Sequence, residues 1–227
     1  MHPRRLSAAR TYGLVMLSCK RVAAIAALLL LSYPAAAKPI SYVGGTMLMV
    51  ENDYTGNTVS LDYTFTPRFA AAFYAKHEIH GNEFTALGPQ LNTLIKRWNM
   101  PDGQGNIFAM TGAGAAVGRN GDDRFAAWAT ILADYETRRV FTSYEARFMY
   151  VPGVEHSLWQ RARVGVAPYL ANYDDLNTWL MIQVDHHPDK SRATTVTPLL
   201  RLFYKTFLVE GGVSTKGDVM FNLVKQF

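Results

Sequence analysis

The chain has very little cysteine, no long hydrophobic run and, beyond its first 37 residues, no excess of either charge. Cys19 is the only cysteine. Disulfides, cysteine-based metal centres and cysteine-based catalysis are therefore excluded in the rest of the chain. The longest apolar run covers residues 22–31, which is shorter than the roughly 20 residues that a membrane-spanning helix needs. Cys19 precedes that run, which is unlike a lipoprotein acylation site. A protein anchored by a helix or by a lipid is therefore disfavoured.

A secretory signal peptide is predicted at the N-terminus. Lys20 and Arg21 precede the apolar run, and a proline and three alanines follow it. A basic region, a short apolar core and a small-residue end are the parts of a cleaved leader, so we expect cleavage after Ala37. Translation starts at Met1 or at Met16, because the segment from Met16 onward contains an ordinary basic region by itself.

Removing the leader makes the remaining chain formally neutral. Five of the 23 basic residues lie in residues 1–37, which contain no acidic residue, so 18 basic and 18 acidic side chains remain. A neutral chain argues against nucleic acid as a partner. No linker, charge run or change of composition divides residues 38–227. The sequence therefore predicts a signal peptide, residues 1–37, followed by a single domain, residues 38–227.

Residues 38–227 repeat a strand-length segment followed by a turn. In residues 58–66, Val59, Leu61, Tyr63 and Phe65 alternate with polar residues, and a period of two is typical of a β-strand. Strands are predicted near 40–51, 57–66, 69–79, 85–97, 106–117, 124–136, 139–150, 160–171, 177–186, 194–204, 206–215 and 218–227. This gives twelve strands, with an error of about two.

The segment 89–98 fits two secondary structures. Its apolar residues from Leu91 to Trp98 follow the spacing of an amphipathic helix. A strand keeps the number of strands even and places polar residues such as Asn92 on one face, but it puts Arg97 on the apolar face. We predict a strand here and keep the helix as the alternative.

The last ten residues are the most informative segment. Val219, Phe221, Leu223 and Phe227 share one face, which Lys225 interrupts. The pattern resembles the C-terminal signal strand of bacterial outer-membrane β-barrel proteins, in which Phe221, Leu223 and Phe227 would be recognised by the barrel-assembly machinery. The resemblance implies that the protein lies in the outer membrane, with outer-membrane lipid and lipopolysaccharide as further partners.

The expected fold is all-β: a closed, antiparallel, up-and-down transmembrane β-barrel of about twelve strands, within a range of about ten to fourteen. Bacterial barrels keep an even number of strands. Closure leaves no backbone polar group unpaired in hydrocarbon. Aromatic residues near predicted strand ends are expected to form interfacial girdles: Tyr42, Tyr63, Trp98, Tyr135, Tyr150, Trp159, Trp179 and Tyr204.

Charged residues on the polar strand faces are the candidates for lining the lumen. They are Asp62, Lys76, Glu78, Asp134, Glu136, Glu145, Arg147, Arg161, Arg163, Asp185, Arg201 and Lys205. In one arrangement the four arginines form a basic ladder in a narrow pore that favours small anions. In the other, the charges pair across strands, Glu145 with Arg161 or Arg163, and fill a packed lumen. The predicted outer connections are short, so selectivity would come from the wall.

Histidines are the candidates for a metal site. His77, His80, His156, His186 and His187 fall at or beside predicted outer connections. The close pairs, His77 with His80 and His186 with His187, together with nearby carboxylates, are of a type that binds zinc, copper or nickel. Solvated histidines without a ligand explain the same positions.

Catalytic and cofactor signals are weak. Glu155-His156-Ser157 contains the residue types of a hydrolase triad, but a triad is recognised by geometry and adjacent residues rarely face one another. The glycines at 112–118 lack the spacing of a dinucleotide loop, and small residues alternating in a strand explain them and the pair Gly44-Gly45. No catalytic residue and no cofactor are assigned.

The expected function is a porin-like passive channel for small polar solutes or ions. A non-conducting binding or structural barrel, with metal at its rim, is the next hypothesis. A lipid-modifying outer-membrane enzyme and a soluble periplasmic β-protein are the two hypotheses that follow it.

Overall fold

The computed structural model describes residues 38–119, 121–188 and 193–227. The strands are β1 (Thr46–Asp53), β2 (Gly56–Thr66), β3 (Phe69–Glu78), β4 (Phe84–Met100), β5 (Gly103–Gly118), β6 (Asp123–Thr137), β7 (Val140–Val151), β8 (Glu155–Val166), β9 (Asn177–His186), β10 (Thr194–Tyr204), β11 (Phe207–Val213) and β12 (Val219–Gln226). Each pairs with its neighbours in the chain, and β1 pairs with β12, so the sheet is a closed antiparallel barrel. The predicted fold class and strand number are confirmed. The predicted leader, with Cys19, lies outside the described residues, and the described ranges contain no helix that is long and apolar enough to cross a membrane.

The two faces of the strands differ in polarity. In β2, Leu61 and Tyr63 are exposed on the outside of the barrel, whereas Ser60, Asp62 and Thr64 are buried inside it. Successive residues of a strand point to opposite faces. The same alternation in the other strands gives a belt of exposed aliphatic and aromatic side chains outside and an interior rich in polar side chains.

The first strand begins later than predicted. Residues 42–45 form a turn in which the Gly45 N–H donates to the Tyr42 carbonyl at 2.9 Å, and Gly44 has a φ of 85°. Glycine adopts this left-handed conformation without steric cost. The pair Gly44-Gly45 therefore belongs to a turn and not to the predicted strand 40–51, and residues 38–41 lie beyond this turn.

The eighth strand is displaced from its predicted position by about five residues. It covers Glu155–Val166 instead of 160–171, because a tight turn at 152–154 brings Glu155 opposite Val151. Gly153 has a φ of 69° in that turn. A connection of ten residues, 167–176, follows β8.

The segment 89–98 is part of a strand, β4, as predicted. A β-bulge lies between Leu94 and Lys96, where the register with β5 shifts by one residue. A bulge inserts one extra residue and exchanges the two faces beyond it. The bulge explains the helix-like spacing of the apolar residues. It also corrects the predicted side of Arg97, which pairs with the buried Asn106 and donates to its Oδ1 from Nε at 2.7 Å.

The connections between strands define two rims. The termini rim holds Tyr42, Phe227 and the connections 67–68, 101–102, 138–139, 167–176 and 205–206. The far rim holds the connections 54–55, 79–83, 152–154 and 214–218, together with the described residues 119, 121–122, 187–188 and 193 of two further connections.

A tryptophan fills the interior beside Gly112 of β5. Trp128 of β6 donates from its indole N–H to Gln90 Oε1 of β4 at 2.8 Å, so its side chain reaches across β5. A Cβ on Gly112 would lie 2.5 Å from atoms of this ring. Around Trp128 pack Tyr74, Phe84, Ala86, Ala116, Ala126, Met149 and Val151. Glycine is required at residue 112 because the ring occupies the space of a side chain.

Replacing Gly112 with valine is expected to displace Trp128 and break its bond to Gln90. Overpacking of an interior typically lowers the free energy of unfolding by roughly 1–3 kcal/mol. Denaturant unfolding of the barrel in detergent, followed by tryptophan fluorescence, measures the change. Ala113→Val is the matched control, because Ala113 is exposed on the outer face. An equal loss in both variants would contradict this account.

Candidate functional site: the lumen of the barrel

A charge belt crosses the lumen in the half nearer the far rim. It consists of Glu51, Asp53, Glu145, Arg147, Arg161 and Asp185. Arg147 Nη2 lies 2.8 Å from Glu145 Oε1 and 3.4 Å from Glu51 Oε2. Arg161 is 3% exposed, and its guanidinium lies 2.8 Å from Asp185 Oδ1, 3.0 Å from Asp53 Oδ2 and 3.9 Å from Glu51 Oε1.

Three of these five contacts, those with Glu51 and Asp53, run across the lumen, and the other two lie along the wall. Arg147 is on β7 and Arg161 is on β8, whereas Glu51 and Asp53 are on β1. In a ring of twelve strands β1 lies opposite β7. The belt therefore narrows the lumen from both sides, and it contains four carboxylates against two guanidinium groups.

Trp159 lies between the two arginines of the charge belt. The guanidinium carbons of Arg147 and Arg161 are 4.8 Å and 4.2 Å from the centre of its ring. Cations over an indole face are attracted by its quadrupole, so Trp159 fixes the positions of both guanidinium groups. Trp159 and Trp179 were predicted for the interfacial girdles, and both predictions are wrong: strand alternation places them inside the barrel, where they are buried.

A second group of charges lies beside the belt. Glu210 accepts from Arg201 Nε at 2.6 Å and from Asn222 Nδ2 at 2.7 Å, and it lies 3.4 Å from Arg163 Nη1. Arg163 also donates from Nε to Gln183 Oε1 at 2.8 Å. One carboxylate is shared by two arginines here. The four arginines thus each have a carboxylate partner, and they form a network instead of an unpaired basic ladder.

The predicted pairing of Glu145 with Arg161 or Arg163 is wrong in detail. Glu145 is opposite Arg161 in the register of β7 and β8, but the atoms in contact are those of Glu145 and Arg147. Arg161 instead contacts Asp185, which is opposite it in the register of β8 and β9, and Asp53 of β1 across the lumen. Long arginine side chains can reach partners across the lumen that the pairing of adjacent strands does not show.

The other lumen candidates lie at several levels of the barrel. Asp62 is 2% exposed and accepts a hydrogen bond from Ser60 at 2.6 Å. Lys76 Nζ lies 3.0 Å from Glu78 Oε2. Asp134 and Glu136 lie 3.5 Å and 3.8 Å from Lys38 Nζ. Lys205 is the exception, because it lies in the turn between β10 and β11, 3.4 Å from Asp174.

Two adjoining cavities lie between the termini rim and the charge belt. The inner cavity has a volume of about 220 Å³, and its lining includes Arg161, Arg163, Arg201, Glu210 and Trp179. The outer one, about 690 Å³, lies at the termini rim. The two share four lining residues: Lys38, Glu136, Asn177 and Trp179. A space of this size that is lined in part by charged side chains holds several water molecules.

Two further spaces lie between the charge belt and the far rim. A gap of about 20 Å³ next to Asp53, Asp185 and His187 holds a single water molecule. A cavity of about 580 Å³ lies at the far rim and is lined by residues such as Phe84, Arg119 and Val151. The gap is the smallest of these four spaces, and it adjoins the charge belt.

The histidines predicted as a metal site are not brought together. His77 Nδ1 lies 3.0 Å from Thr85 Oγ1, His80 packs against Tyr54, and His186 Nδ1 lies 3.0 Å from Thr194 Oγ1. In the described part of the chain, no group of three or more His, Cys, Asp or Glu residues is arranged to hold a metal ion.

His187 is buried at the far end of the lumen and is not a solvated rim histidine. Its ring centre lies 5.7 Å from that of Trp159. Burial lowers the pKa of His187 to about 4. The imidazole is therefore neutral at neutral pH and adds no charge to the carboxylates beside it.

The residues of Glu155-His156-Ser157 cannot act as a triad. They are consecutive in β8, so His156 points outward, where its ring contacts Phe148 and Tyr150, while Glu155 and Ser157 belong to the opposite face. A hydrolase triad needs the three side chains within hydrogen-bond reach.

The final strand places its alternate apolar residues on the outside. Val219 and Phe221 are exposed there, and the buried Met220 and Asn222 point inward. Lys225 shares the outer face, but it lies at the termini rim, where Nζ donates to Thr206 Oγ1 at 2.8 Å. The position of Lys225 at the rim explains how the outer face tolerates a charge.

Several residues of the charge network in the lumen could not be predicted from the sequence. Glu51 and Asp53 lie at the predicted end of the first strand and in the next connection, and their role depends on the ring closing opposite them. Glu210 stands between apolar residues on both strand faces, so its side is ambiguous. Lys38 precedes the first strand. A charged residue among the apolar residues of the strand is the feature of the sequence that indicates an interior position for Glu210.

Comparisons with known proteins give only remote similarities. No protein-family model matches the chain, and no curated protein matches it. The chain is similar to two solved structures of KdgM porin, one of them in complex with disordered oligogalacturonate. Each has 12% sequence identity and a TM-score of 0.45, and covers 81% of this chain and 98% of that chain. A loop L8 deletion mutant of OmpT, an outer membrane protein of Vibrio cholerae, has 9% identity and a TM-score of 0.31 over 81% of this chain and 97% of that chain.

Proposed function

We propose that the protein is a narrow, porin-like passive channel of the bacterial outer membrane, which conducts ions and small polar solutes. The observation that carries the proposal is the pair of adjoining cavities inside a closed barrel, which lead from the termini rim to the charge belt and are lined by charged as well as apolar side chains. A barrel with a purely structural role needs no such cavities.

The outer surface supports a location in the membrane. Residues such as Phe73, Phe125, Ile182 and Leu200 are about half exposed on the outside of the barrel. An apolar belt of this extent is stable against hydrocarbon and would aggregate in water. With the termini rim in the periplasm, the far rim faces the exterior.

The charges of the lumen favour cations. The charge belt has an excess of two carboxylates over guanidinium groups, whereas the adjoining group of Arg163, Arg201 and Glu210 has an excess of one guanidinium. A net negative charge therefore remains in this part of the lumen. Rings of carboxylates select cations in channels. The anion preference expected from four arginines alone is therefore replaced by a weak cation preference.

Single-channel recording of the purified protein in a planar bilayer tests the proposal. Small discrete conductance steps with a weak preference for K⁺ over Cl⁻ are expected. The channel is refuted if the wild type and the variants that remove the charge belt all migrate as folded, heat-modifiable bands and none of them gives conductance steps. The structural barrel is then the remaining hypothesis.

We also propose that Phe227 is part of the assembly signal. Changing Phe227 to aspartate is then expected to lower the amount of heat-modifiable protein in the outer-membrane fraction. Tyr204→Asp is the matched control, because Tyr204 is an exposed aromatic near the same rim, at the end of β10. If the Phe227→Asp and Tyr204→Asp variants give equal amounts of heat-modifiable protein, the proposed role of Phe227 in the assembly signal is wrong.

A further inference from the structure

The segment 38–41 lies inside the barrel, at the entrance to the inner cavity. The turn at 42–45 reverses the chain at the termini rim, so the residues before it enter the lumen. Lys38 lines both cavities, and Pro39 lines the inner one. The segment therefore stands on the route from the termini rim to the charge belt.

An apolar contact holds the segment in place. Ile40 is 5% exposed and packs against Ala70, Leu94 and Phe108, with Leu132 beside them. These four residues come from four consecutive strands, β3 to β6. Ile40 thus occupies an apolar site in the inner wall of the barrel.

Polar contacts on both sides of Ile40 fix the direction of the segment. The Pro39 carbonyl accepts from Asn92 Nδ2 at 3.1 Å, and Asn92 is fully buried. The Ser41 N–H donates to Thr64 Oγ1 at 3.1 Å. Lys38 Nζ donates to Gln104 Oε1 at 3.0 Å and lies within ion-pair distance of two carboxylates.

We infer that residues 38–41 form a removable plug, which occupies the lumen at the termini rim and limits passage through it. The plug is attached to the wall by one apolar side chain and a few polar contacts, and beyond the turn at 42–45 the chain joins β1. Withdrawal of the four residues toward the termini rim would leave every strand pair of the barrel intact. The inference rests on the proposed function, because a plug limits passage only through a lumen that conducts.

The position of the plug is tested by cysteine accessibility in a Cys19→Ser background. Ile40→Cys is expected to react with a membrane-impermeant maleimide at least roughly tenfold more slowly than Val43→Cys, because reaction requires exposure of the thiol. Val43 is three residues away and 54% exposed. Equal rates of labelling in the folded, heat-modifiable protein would overturn the plug.

Conductance tests whether the plug limits passage. Ile40→Asp places a charge in the apolar site, and Lys38→Glu places a third carboxylate beside Asp134 and Glu136. Both changes are expected to raise single-channel conductance, whereas the controls Val43→Asp and Lys96→Glu, which change exposed residues, leave it unchanged. Protection of Ile40→Cys without a rise in either variant would overturn the limiting role. If the wild type and all variants, including those of the charge belt, fail to conduct, the channel itself is refuted.

Discussion

Replacing Arg161 with glutamine is expected to lower the free energy of unfolding by about 3–5 kcal/mol, the cost of leaving buried charges without their partner. The guanidinium lies 2.8 Å from one carboxylate and 3.0 Å from another. Glutamine is shorter and neutral, so Asp53 and Asp185 would lose their shared cation. Unfolding by guanidinium chloride in detergent measures the loss of stability, with heat modifiability as the control for folding.

Two further variants separate loss of charge pairing from loss of packing. Arg97→Gln is the matched control, because Arg97 is exposed and donates to the neutral Asn106; a change of less than about 1 kcal/mol is expected for an exposed group of this kind. Combining Arg161→Gln with Asp185→Asn is expected to recover part of the stability. If Arg161→Gln costs no more than the control, the charge belt does not stabilise the barrel.

Neutralising the two carboxylates of β1 is expected to remove the ion pairs that cross the lumen. In a Glu51→Gln and Asp53→Asn double variant, Arg147 and Arg161 keep Glu145 and Asp185 as partners, so the barrel is expected to fold. The salt bridges across the lumen are lost, and the belt becomes neutral. We expect single-channel conductance to rise by roughly twofold or more and the cation preference to decrease, since wall charges set selectivity in a pore without a constricting loop.

A control for this variant removes a lumen carboxylate without breaking a bridge. Asp62→Asn is suitable, because Asp62 accepts from Ser60 and the described contacts pair it with no arginine or lysine. Reversal potentials in asymmetric KCl and conductance steps are compared for the wild type and both variants. Unchanged conductance in the double variant, or an equal change in Asp62→Asn, would show that the charge belt does not limit conductance.

The strands could be predicted because each residue of this barrel faces one of two different environments. Leu61 and Tyr63 face outward and Asp62 and Thr64 face the interior, so the sequence itself alternates. Segment 89–98 was ambiguous for a physical reason: the bulge at Leu94 and Lys96 interrupts the period of two and imitates helical spacing.

The network inside the lumen could be predicted only in part. Alternation identifies Arg161 and Arg147 as interior residues, but their contacts with β1 depend on which strands face each other after the ring closes. Arg147 and Glu51 are 96 residues apart in the chain. Local patterns carry no signal of such a contact, and for the same reason the position of Ile40 inside the barrel could not be predicted.

The burial of Trp159 between two arginines gives the protein a built-in optical reporter. The chain has four tryptophans, and each lies in a different environment: Trp98 on the outer face, Trp128 in the packed interior, Trp159 in the charge belt and Trp179 beside the inner cavity. Because indole emission depends on local polarity and on nearby charges, variants that retain one tryptophan each would report on the four regions separately. A shift confined to Trp159 would then follow rearrangement of the belt in real time, without any attached dye.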